Sequence, residues 1–380
     1  MSSELQNTED NLPQEEGATG LEAEDTSGGT EITEPFDPAL IRVESKNLTI
    51  SLLLTRIEHN EINLNPGFQR KAGIWTKGAQ SRLIESILIR IPLPAFYMDG
   101  TDDDKWLVVD GLQRLTALKS FVVDKTLALE GLEFLNLHTG KTFDALPRSF
   151  QRRIIETQVP VFIIQENTPA AVKFNVFKRI NTGGLPLSPQ EIRHALNQGP
   201  AADMLHRLAE AEDFKLATDN GIRDERMGDR ECVLRFLAFA IHPYTEYKSR
   251  EFDAFLNNSM SDINRMSAAE RGSLELRFLR TMQAARDIFG DRAFRKQYPS
   301  QDRRFPINKA LFEAWSVTLD TLDDQELQCA IRRKAQIVSR FQGIGEDSEF
   351  TNAISQGTGD IRKLKFRFSR IAEMTKAVIA

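Results

Sequence analysis

The segment VVDGLQRLTAL, residues 108–118, gathers charged and amide side chains around a glycine, between two apolar patterns. Val108 and Val109 end a strand-like run, and Leu115 and Leu118 begin a helical spacing. A glycine at a strand-to-helix turn lets the backbone come close to a ligand, and the free N–H groups of the first helical turn attract anions. The residue types and their spacing are therefore typical of a phosphate-binding turn.

The polar side chains of this turn have one functional and one structural interpretation. In the functional one, Arg114 makes a bidentate contact with phosphate, Gln113 holds a water molecule or a base edge, and Asp110 holds a metal ion or orients the arginine. In the structural one, Asp110 caps the helix and Arg114 forms a surface ion pair. The structural interpretation is favoured for this segment taken alone, because short motifs often match by chance.

Two other segments favour the functional interpretation. The loop segment FQR places Gln69 and Arg70 between proline and glycine residues, ahead of a predicted helix. The segment FKRINTGG places Arg179 and Asn181 at the end of another predicted helix, before two glycines. An ordinary surface would rarely combine three such junctions in one small domain. We therefore predict that Gln69 and Arg70 converge with the turn at Asp110 on one cleft.

Short strands alternate with helices around these junctions. The apolar patterns predict strands over 61–65, 95–99, 105–110, 127–134 and 159–165, and helices over 47–57, 76–91, 113–122, 147–157 and 168–181. From residue 188 onward the periodicity is helical, including 230–241, 268–289, 325–341 and 360–378. The pattern predicts an α+β fold class, with a mixed domain over residues 39–185 followed by an all-α domain over residues 186–380.

Residues 1–38 form an N-terminal arm of different composition. Residues 1–36 carry ten acidic and no basic side chains, so the rest of the chain has 55 − 10 = 45 acidic against 49 basic side chains. The arm is rich in Gly, Ser, Thr and Glu and nearly lacks large apolar groups, which predicts disorder. A solubilising tail is the favoured role. The alternative is a mimic of nucleic acid that covers a basic groove.

The composition excludes several classes of protein. No apolar run is long enough to cross a bilayer, and the N-terminus has no secretory signal pattern, so we expect a cytoplasmic protein. Cys232 and Cys329 lie in helical patterns and are expected to be core side chains instead of a disulfide or a metal site. The five histidines are scattered along the chain, so no metal-ligating residues are assigned.

Basic side chains cluster on several segments and would offer DNA a surface. The clusters are Arg148, Arg152 and Arg153; Arg223, Arg226 and Arg230; Arg332, Arg333 and Lys334; and Lys363, Lys365, Arg367 and Arg370. Many of these residues have acidic neighbours, so solvated helix faces are an equal alternative to a DNA-tracking surface.

Four segments, NPGFQRKAGIW, QSRLIESILIRIPLPAFYM, VVDGLQRLTAL and FKRINTGGLPLSPQEIRHAL, follow one another within about residues 45–240. Together they resemble the N-terminal domain of the GmrSD-type modification-dependent restriction enzymes, a bacterial and phage-defence family with a ParB/sulfiredoxin-like fold. The family signature Asp-Gly-Gln-Gln-Arg maps onto residues 110–114. In relatives this motif is associated with nucleotide binding and hydrolysis, and the broader fold holds phosphates with a Gly-x-x-Arg loop.

The resemblance implies roles for eight residues of this chain. The implied catalytic residues are Asp110, Gln113 and Arg114, and the implied nucleotide-binding residues are Gln69, Arg70, Gly111, Arg179 and Asn181. The implied ligand is an NTP of open identity, with Mg²⁺ as its companion ion. The expected partners are this nucleotide, DNA and a partner protein, and no membrane.

Two departures from the family pattern bear on activity. Leu112 replaces the first Gln of the signature, which puts hydrolysis in question more than binding. Larger relatives carry a C-terminal HNH nuclease domain, whereas His242 is the one histidine of this chain after residue 206. The leading hypothesis is an NTP-hydrolysing, DNA-associated protein of phage-defence type. The alternatives are a non-enzymatic regulatory module that binds nucleic acid or protein and, less favoured, a nuclease that uses carboxylates of the α/β domain.

Overall fold

The computed structural model describes most of the chain. The described residues are 20–24, 42–64, 75–166, 168–180, 188–223, 226–248, 251–299, 301 and 303–380. The chain forms two compact units, an α/β unit within residues 32–202 and a helical unit within residues 1–31 and 203–380. The predicted order, a mixed α/β region followed by a helical region, is confirmed.

A mixed sheet is the centre of the α/β unit. Its described strands are β1 (Val43–Thr49), β2 (Ile62–Asn63), β3 (Phe96–Gly100), β4 (Trp106–Asp110) and β5 (Gln158–Gln165). Their order is β1-β5-β3-β4-β2. The pairs β3–β5 and β2–β4 are parallel, whereas β1–β5 and β3–β4 are antiparallel. The β3–β4 register places Tyr97 opposite Asp110 and Asp99 opposite Leu107.

Helices cover both faces of this sheet. They are α1 (Ile50–Glu58), α2 (Lys77–Leu88), α3 (Leu112–Val122), α4 (Arg148–Glu156), α5 (Ala170–Ile180) and α6 (Pro189–Leu196). One core joins Phe96, Met98 and Val108 of the strands to α1–α4. A smaller core joins Val109 and Ile164 to α5 and α6. Successive strand residues point to opposite faces, so Val108 and Val109 mark the two faces of the sheet.

The strand predicted over residues 127–134 is wrong, because this segment is an irregular loop. Its backbone finds hydrogen-bond partners on α2 instead of a neighbouring strand. The Glu130 N–H donates to Ser81 Oγ at 2.9 Å. The N–H groups of residues 133–135 donate to the buried Glu85 carboxylate at 2.7–3.0 Å.

The first helix begins later than predicted. Thr49 caps α1 by accepting a hydrogen bond from the Leu52 N–H at 3.2 Å, so the helix starts at Ile50 instead of Asn47. Residues 43–49 pair along their whole length with β5. The polar sequence VESKNLT concealed this strand, because the pairing rests on backbone groups at the edge of the sheet.

The helical unit holds the remaining described helices. They are α7 (Pro200–Glu210), which crosses the division between the units, α8 (Glu212–Ala217), α9 (Gly228–Ile241), α10 (Phe252–Arg265), α11 (Ala268–Phe289), α12 (Lys309–Asp320), α13 (Asp324–Arg332), α14 (Lys334–Gly345), α15 (Ser348–Ser355) and α16 (Ile361–Ile379). The helix predicted over 325–341 is thus two helices that meet at Arg333. In the described parts of the chain, no helix has the length and apolar content needed to span a membrane.

Residues 20–24 of the acidic arm lie against the helical unit, although the composition predicts disorder for the whole arm. The Glu22 N–H donates to the Ile307 carbonyl at 2.8 Å. The Glu24 carboxylate accepts from the buried Arg235 guanidinium at 2.6 Å. Charge-assisted contacts of this kind offset the entropy lost on ordering, which composition alone does not reveal.

Candidate functional site

The motif at residues 110–114 lies where β4 ends and α3 begins, as predicted. Gly111 stands between them with φ 103°, in the left-handed region. A Cβ at this position would lie 2.4 Å from Cδ1 of Phe96. Both the backbone conformation and the close approach of the phenyl ring therefore require glycine. The turn is built tightly against the strand β3.

Helix α3 begins without a side-chain cap on its first turn, as far as the described residues show. The structural interpretation of the sequence, in which Asp110 caps this helix, is thus wrong, because Gly111 occupies the cap position. The Leu115 N–H is the first to bond within the turn, to the Gly111 carbonyl at 2.9 Å. The N-terminal end of α3 keeps the positive dipole end that favours an anion.

Arg114 is buried, with 8% of its surface exposed, and its guanidinium is held by the protein itself. It donates to the carbonyls of Pro94 and Ala95 and to the Asp110 carboxylate, the last at 2.9 Å. Its plane lies over the Phe96 ring, 4.4 Å from the centroid. Burial lowers the pKa of this guanidinium, and Asp110 offsets part of that effect. Arg114 therefore forms a buried ion pair, not the surface pair of the structural interpretation, and it orients Asp110.

Asp110 and Gln113 are the more accessible polar side chains of the turn. The Asp110 side chain is 39% exposed, with Oδ2 accepting from Arg114. Gln113 is half-buried, and its Oε1 accepts from the Trp75 N–H at 3.5 Å, near the limit of a hydrogen bond. This geometry leaves a carboxylate and an amide beside the start of a helix, which suits a hydrated cation or a phosphate ester.

Three of the predicted site residues, Gln69, Arg70 and Asn181, lie outside the described residues. The predicted convergence of the FQR loop with the turn therefore stays a prediction. Trp75, the first described residue after that loop, contacts Gln113 as stated. Arg179 is exposed on the last turn of α5.

Helix α5 packs on the sheet and runs toward the C-terminal end of β4. Lys173, in its first half, contacts Asp99, which pairs with Leu107 of β4. Phe177, one turn further on, packs with Val109, next to Asp110. The C-terminal end of α5, which carries Arg179, therefore lies toward the end of β4 at which the motif begins.

A second polar cluster lies on the α5 side of the sheet and was missed by the sequence analysis. Asp99 and Lys173 form a buried ion pair at 3.2 Å, and the Thr101 hydroxyl bonds both. The cluster lines a cavity of about 490 Å³ together with Lys105 and Trp106. The sequence does contain a sign of this cluster, because Asp99 ends the apolar run AFYMD and Lys173 lies inside the apolar helix AAVKFNVF. Because the two charges neutralise each other, we interpret the Asp99–Lys173 ion pair as a structural element beside a polar cavity.

Several of the basic side chains assigned to a DNA surface lie inside the helical unit. Arg230 is buried, and Arg367 is fully buried and bonded to Glu313. Arg332, Arg333 and Lys334 are exposed at the junction of α13 and α14. The exposed basic surface is thus smaller than the sequence suggests.

The described residues do not contain a group of three or more His, Cys, Asp or Glu side chains placed to hold a metal ion.

Residues 50–197 match the family model described as the GmrSD restriction endonuclease, N-terminal domain. The match includes the motif turn, α3 and the strands β2–β5 of the α/β unit. Comparison with curated proteins and with solved structures gave no match. The family match agrees with the resemblance that the four sequence segments indicate.

Proposed function

We infer that the α/β unit is the nucleotide-binding part of a DNA-associated restriction system of phage-defence type. The match of residues 50–197 to the family model of GmrSD restriction endonuclease N-terminal domains supports this inference. In this proposal the fold is ParB/sulfiredoxin-like, with residues 111–114 as its phosphate loop. The observation that carries the proposal is the turn itself. A left-handed glycine that admits no side chain leads into an uncapped helix beside a half-exposed carboxylate.

Each group of the turn has a distinct role in the proposal. The backbone N–H groups at the start of α3 receive phosphate oxygens, as helix N-termini do. Asp110 holds the Mg²⁺ of the nucleotide, and Gln113 positions a water molecule for attack on the terminal phosphorus. Arg114 is a positioning residue, because its guanidinium already bonds Asp110 and two carbonyls. The family resemblance assigns further nucleotide contacts to Gln69, Arg70, Arg179 and Asn181.

A non-enzymatic regulatory module is the second candidate function, and Leu112 favours it. Leu112 is buried in the core between α3 and its neighbours, at the position of the first Gln in the family signature. An amide of the signature is therefore missing, and binding without turnover becomes a defined alternative. The two functions differ in one measurable property, which is release of phosphate from a bound NTP.

The test is a panel of ATP, GTP, CTP and UTP, each assayed with Mg²⁺ for binding by calorimetry and for phosphate release. We expect saturable binding of one or more of these NTPs, weakened at least tenfold (about 1.4 kcal/mol) by Asp110→Asn. Asp124→Asn is the matched control, because Asp124 lies beyond the other end of α3 and has a similarly exposed side chain. Gln113→Ala should lower phosphate release more than binding. Equal affinity of wild type and Asp110→Asn would refute the site.

A further inference from the structure

Residues 20–24, Gly-Leu-Glu-Ala-Glu, occupy a groove in the helical unit, and we call them the acidic strap. Its backbone pairs with residue 307 in the manner of a parallel β-bridge. The Ile307 N–H donates to the Gly20 carbonyl at 3.1 Å, and the Glu22 N–H donates to the Ile307 carbonyl at 2.8 Å. Main-chain bonds of this kind are how grooves hold extended peptides.

The groove also fits the apolar and small residues of the strap. A Cβ on Gly228 would lie 2.4 Å from Cδ1 of Leu21, so the leucine occupies space that only glycine leaves open. Gly20 itself has φ 73°, and a Cβ there would lie 1.5 Å from the Gly221 carbonyl oxygen. The strap therefore fits by shape as well as by charge.

The two carboxylates of the strap accept hydrogen bonds from basic, amide and hydroxyl groups. Glu22 accepts from Lys296 Nζ at 2.5 Å and from Asn308 Nδ2 at 3.1 Å. Glu24 accepts two hydrogen bonds from Arg235, at 2.9 and 2.6 Å, and one from the Thr358 hydroxyl at 2.7 Å. The alternate spacing of the two glutamates is the period of an extended chain.

Glu24 completes a buried charge cluster. Among the described residues, the cluster joins the bases Arg235, Lys309 and Arg367 to the acids Glu231, Glu313 and Glu24 through ion pairs. The Arg235 side chain is only 3% exposed. With Glu24 the cluster has three charges of each sign, and without it one positive charge is left in excess. Without the strap this excess positive charge would face the emptied groove, so the groove favours an anion at this position.

We propose that this groove is a binding site for an extended acidic peptide of the form Gly-Leu-Glu-x-Glu, which residues 20–24 fill in cis and which the same motif in trans can displace. A peptide is the ligand class because the groove pairs with backbone amides and accommodates a leucine side chain. A nucleic acid strand offers phosphates but neither of those groups. The site is independent of the nucleotide turn, and its test does not use nucleotide.

The experiment uses the full chain with a protease recognition sequence inserted between Thr30 and Glu31. After cleavage, fragment 1–30 should stay bound, and an excess of a fluorescent peptide spanning residues 18–27 should replace it. Exchange is followed by anisotropy and by gel filtration. A fragment that never exchanges under a large excess of peptide would overturn the proposal and make the strap a fixed structural element.

Three probes separate peptide recognition from simple attraction of negative charge. We expect the Glu24→Gln peptide to compete at least tenfold more weakly than the wild-type peptide, because Arg235 and Lys309 each lose one of their carboxylate partners. The Gly20→Ala peptide keeps every charge and should still compete at least tenfold more weakly, because of its clash with Gly221. A single-stranded DNA octamer should not compete. Effective competition by the DNA octamer, or equal competition by the Gly20→Ala peptide, would overturn the proposal in favour of a general anion site.

Discussion

The Arg114 guanidinium donates to the Asp110 carboxylate at 2.9 Å across one turn of backbone, and the same guanidinium bonds the carbonyls of Pro94 and Ala95. One buried arginine thus fixes the end of β4, the start of α3 and the segment that leads into β3. Asp110, by contrast, keeps 39% of its side chain exposed. The two members of the pair therefore differ in what their removal should change.

Arg114→Ala should destabilise the α/β unit by on the order of 2–4 kcal/mol, because it removes a buried side chain that packs on Phe96, the donor to two partly buried carbonyls and the counterion of Asp110. Asp110→Asn should cost about 1 kcal/mol, because the amide oxygen can still accept from Arg114 and the side chain reaches water. Urea unfolding monitored by circular dichroism measures both values. If the two variants are equally stable, Arg114 does not organise the turn.

Gly111→Ala should also destabilise the turn, by about 2 kcal/mol or more, through backbone strain and contact with the Phe96 ring. Gly140→Ala is the matched control, because Gly140 also has positive φ (81°) and no atom within 4 Å of an added Cβ. The difference between the two variants in urea unfolding isolates the steric contact. A Gly111→Ala variant no less stable than Gly140→Ala would show that Phe96 moves away freely.

Leu112→Gln restores the family signature but should act on stability instead of turnover. Leu112 is 7% exposed and packs in the main core, so a glutamine at this position would bury an amide. We expect a loss of about 1–3 kcal/mol in unfolding free energy and no gain in phosphate release. A gain in turnover that appears together with this loss would instead identify residue 112 as the position that limits hydrolysis.

The stability of the α/β unit should depend on pH through Glu85. Burial alone would raise the pKa of Glu85, but the backbone N–H donors at Glu133, Leu135 and Phe134 lower it below the ordinary value of 4.5. A carboxylate with a lowered folded-state pKa contributes stability above pH 4.5 and loses it as the pH falls through the folded-state pKa.

Glu85→Gln should therefore be less stable than wild type at pH 7, and the gap should narrow in acid below pH 4.5. Thermal unfolding across a pH series measures this difference. Glu130→Gln is the control, because the Glu130 side chain is exposed and only its backbone joins α2. A constant gap between wild type and Glu85→Gln at all pH values would contradict the assigned role.

The sequence predicted the elements whose periodicity reflects burial. The turn at Gly111, the strands on either side of residues 101–105 and the helix after Asp110 are where the apolar pattern placed them. Strand β1 was missed because its pairing uses backbone groups, which leave no apolar signature. The strand predicted over 127–134 failed because the buried Glu85, on another helix, supplies the hydrogen bonds of that segment.

The polar residues were harder to assign, because partners distant in sequence decide their environment. Arg114 has the same local sequence whether it faces phosphate or the Pro94 carbonyl, and only the tertiary structure separates the two. Glu24 lies in a composition typical of disorder, yet its partners Arg235 and Thr358 are more than two hundred residues away. The sequence pattern therefore indicates which residues can take part in chemistry, but it does not indicate which side chains they contact in the folded chain.

DNA binding should depend on the basic side chains that remain exposed. Bound DNA should in turn change the rate of phosphate release at the nucleotide site. Arg332 and Lys334 are exposed at the junction of α13 and α14, whereas Arg230 and Arg367 are buried. Replacing both Arg332 and Lys334 by Glu should weaken binding of double-stranded DNA. It should also reduce the slope of log affinity against log salt by about 2, since each lost phosphate contact removes roughly 0.9.

Lys215→Glu is the control for that measurement, because Lys215 is already paired with Glu210 in the same unit. If DNA is the partner of a nucleotide sensor, its addition should change phosphate release by wild type and leave the doubly reversed variant unaffected, since two linked sites must influence each other. The assay is phosphate release over a salt series, with and without DNA. Turnover that ignores every DNA tested would point to a protein partner, and DNA binding that is unchanged in the doubly reversed variant would remove the α13–α14 junction from the DNA surface.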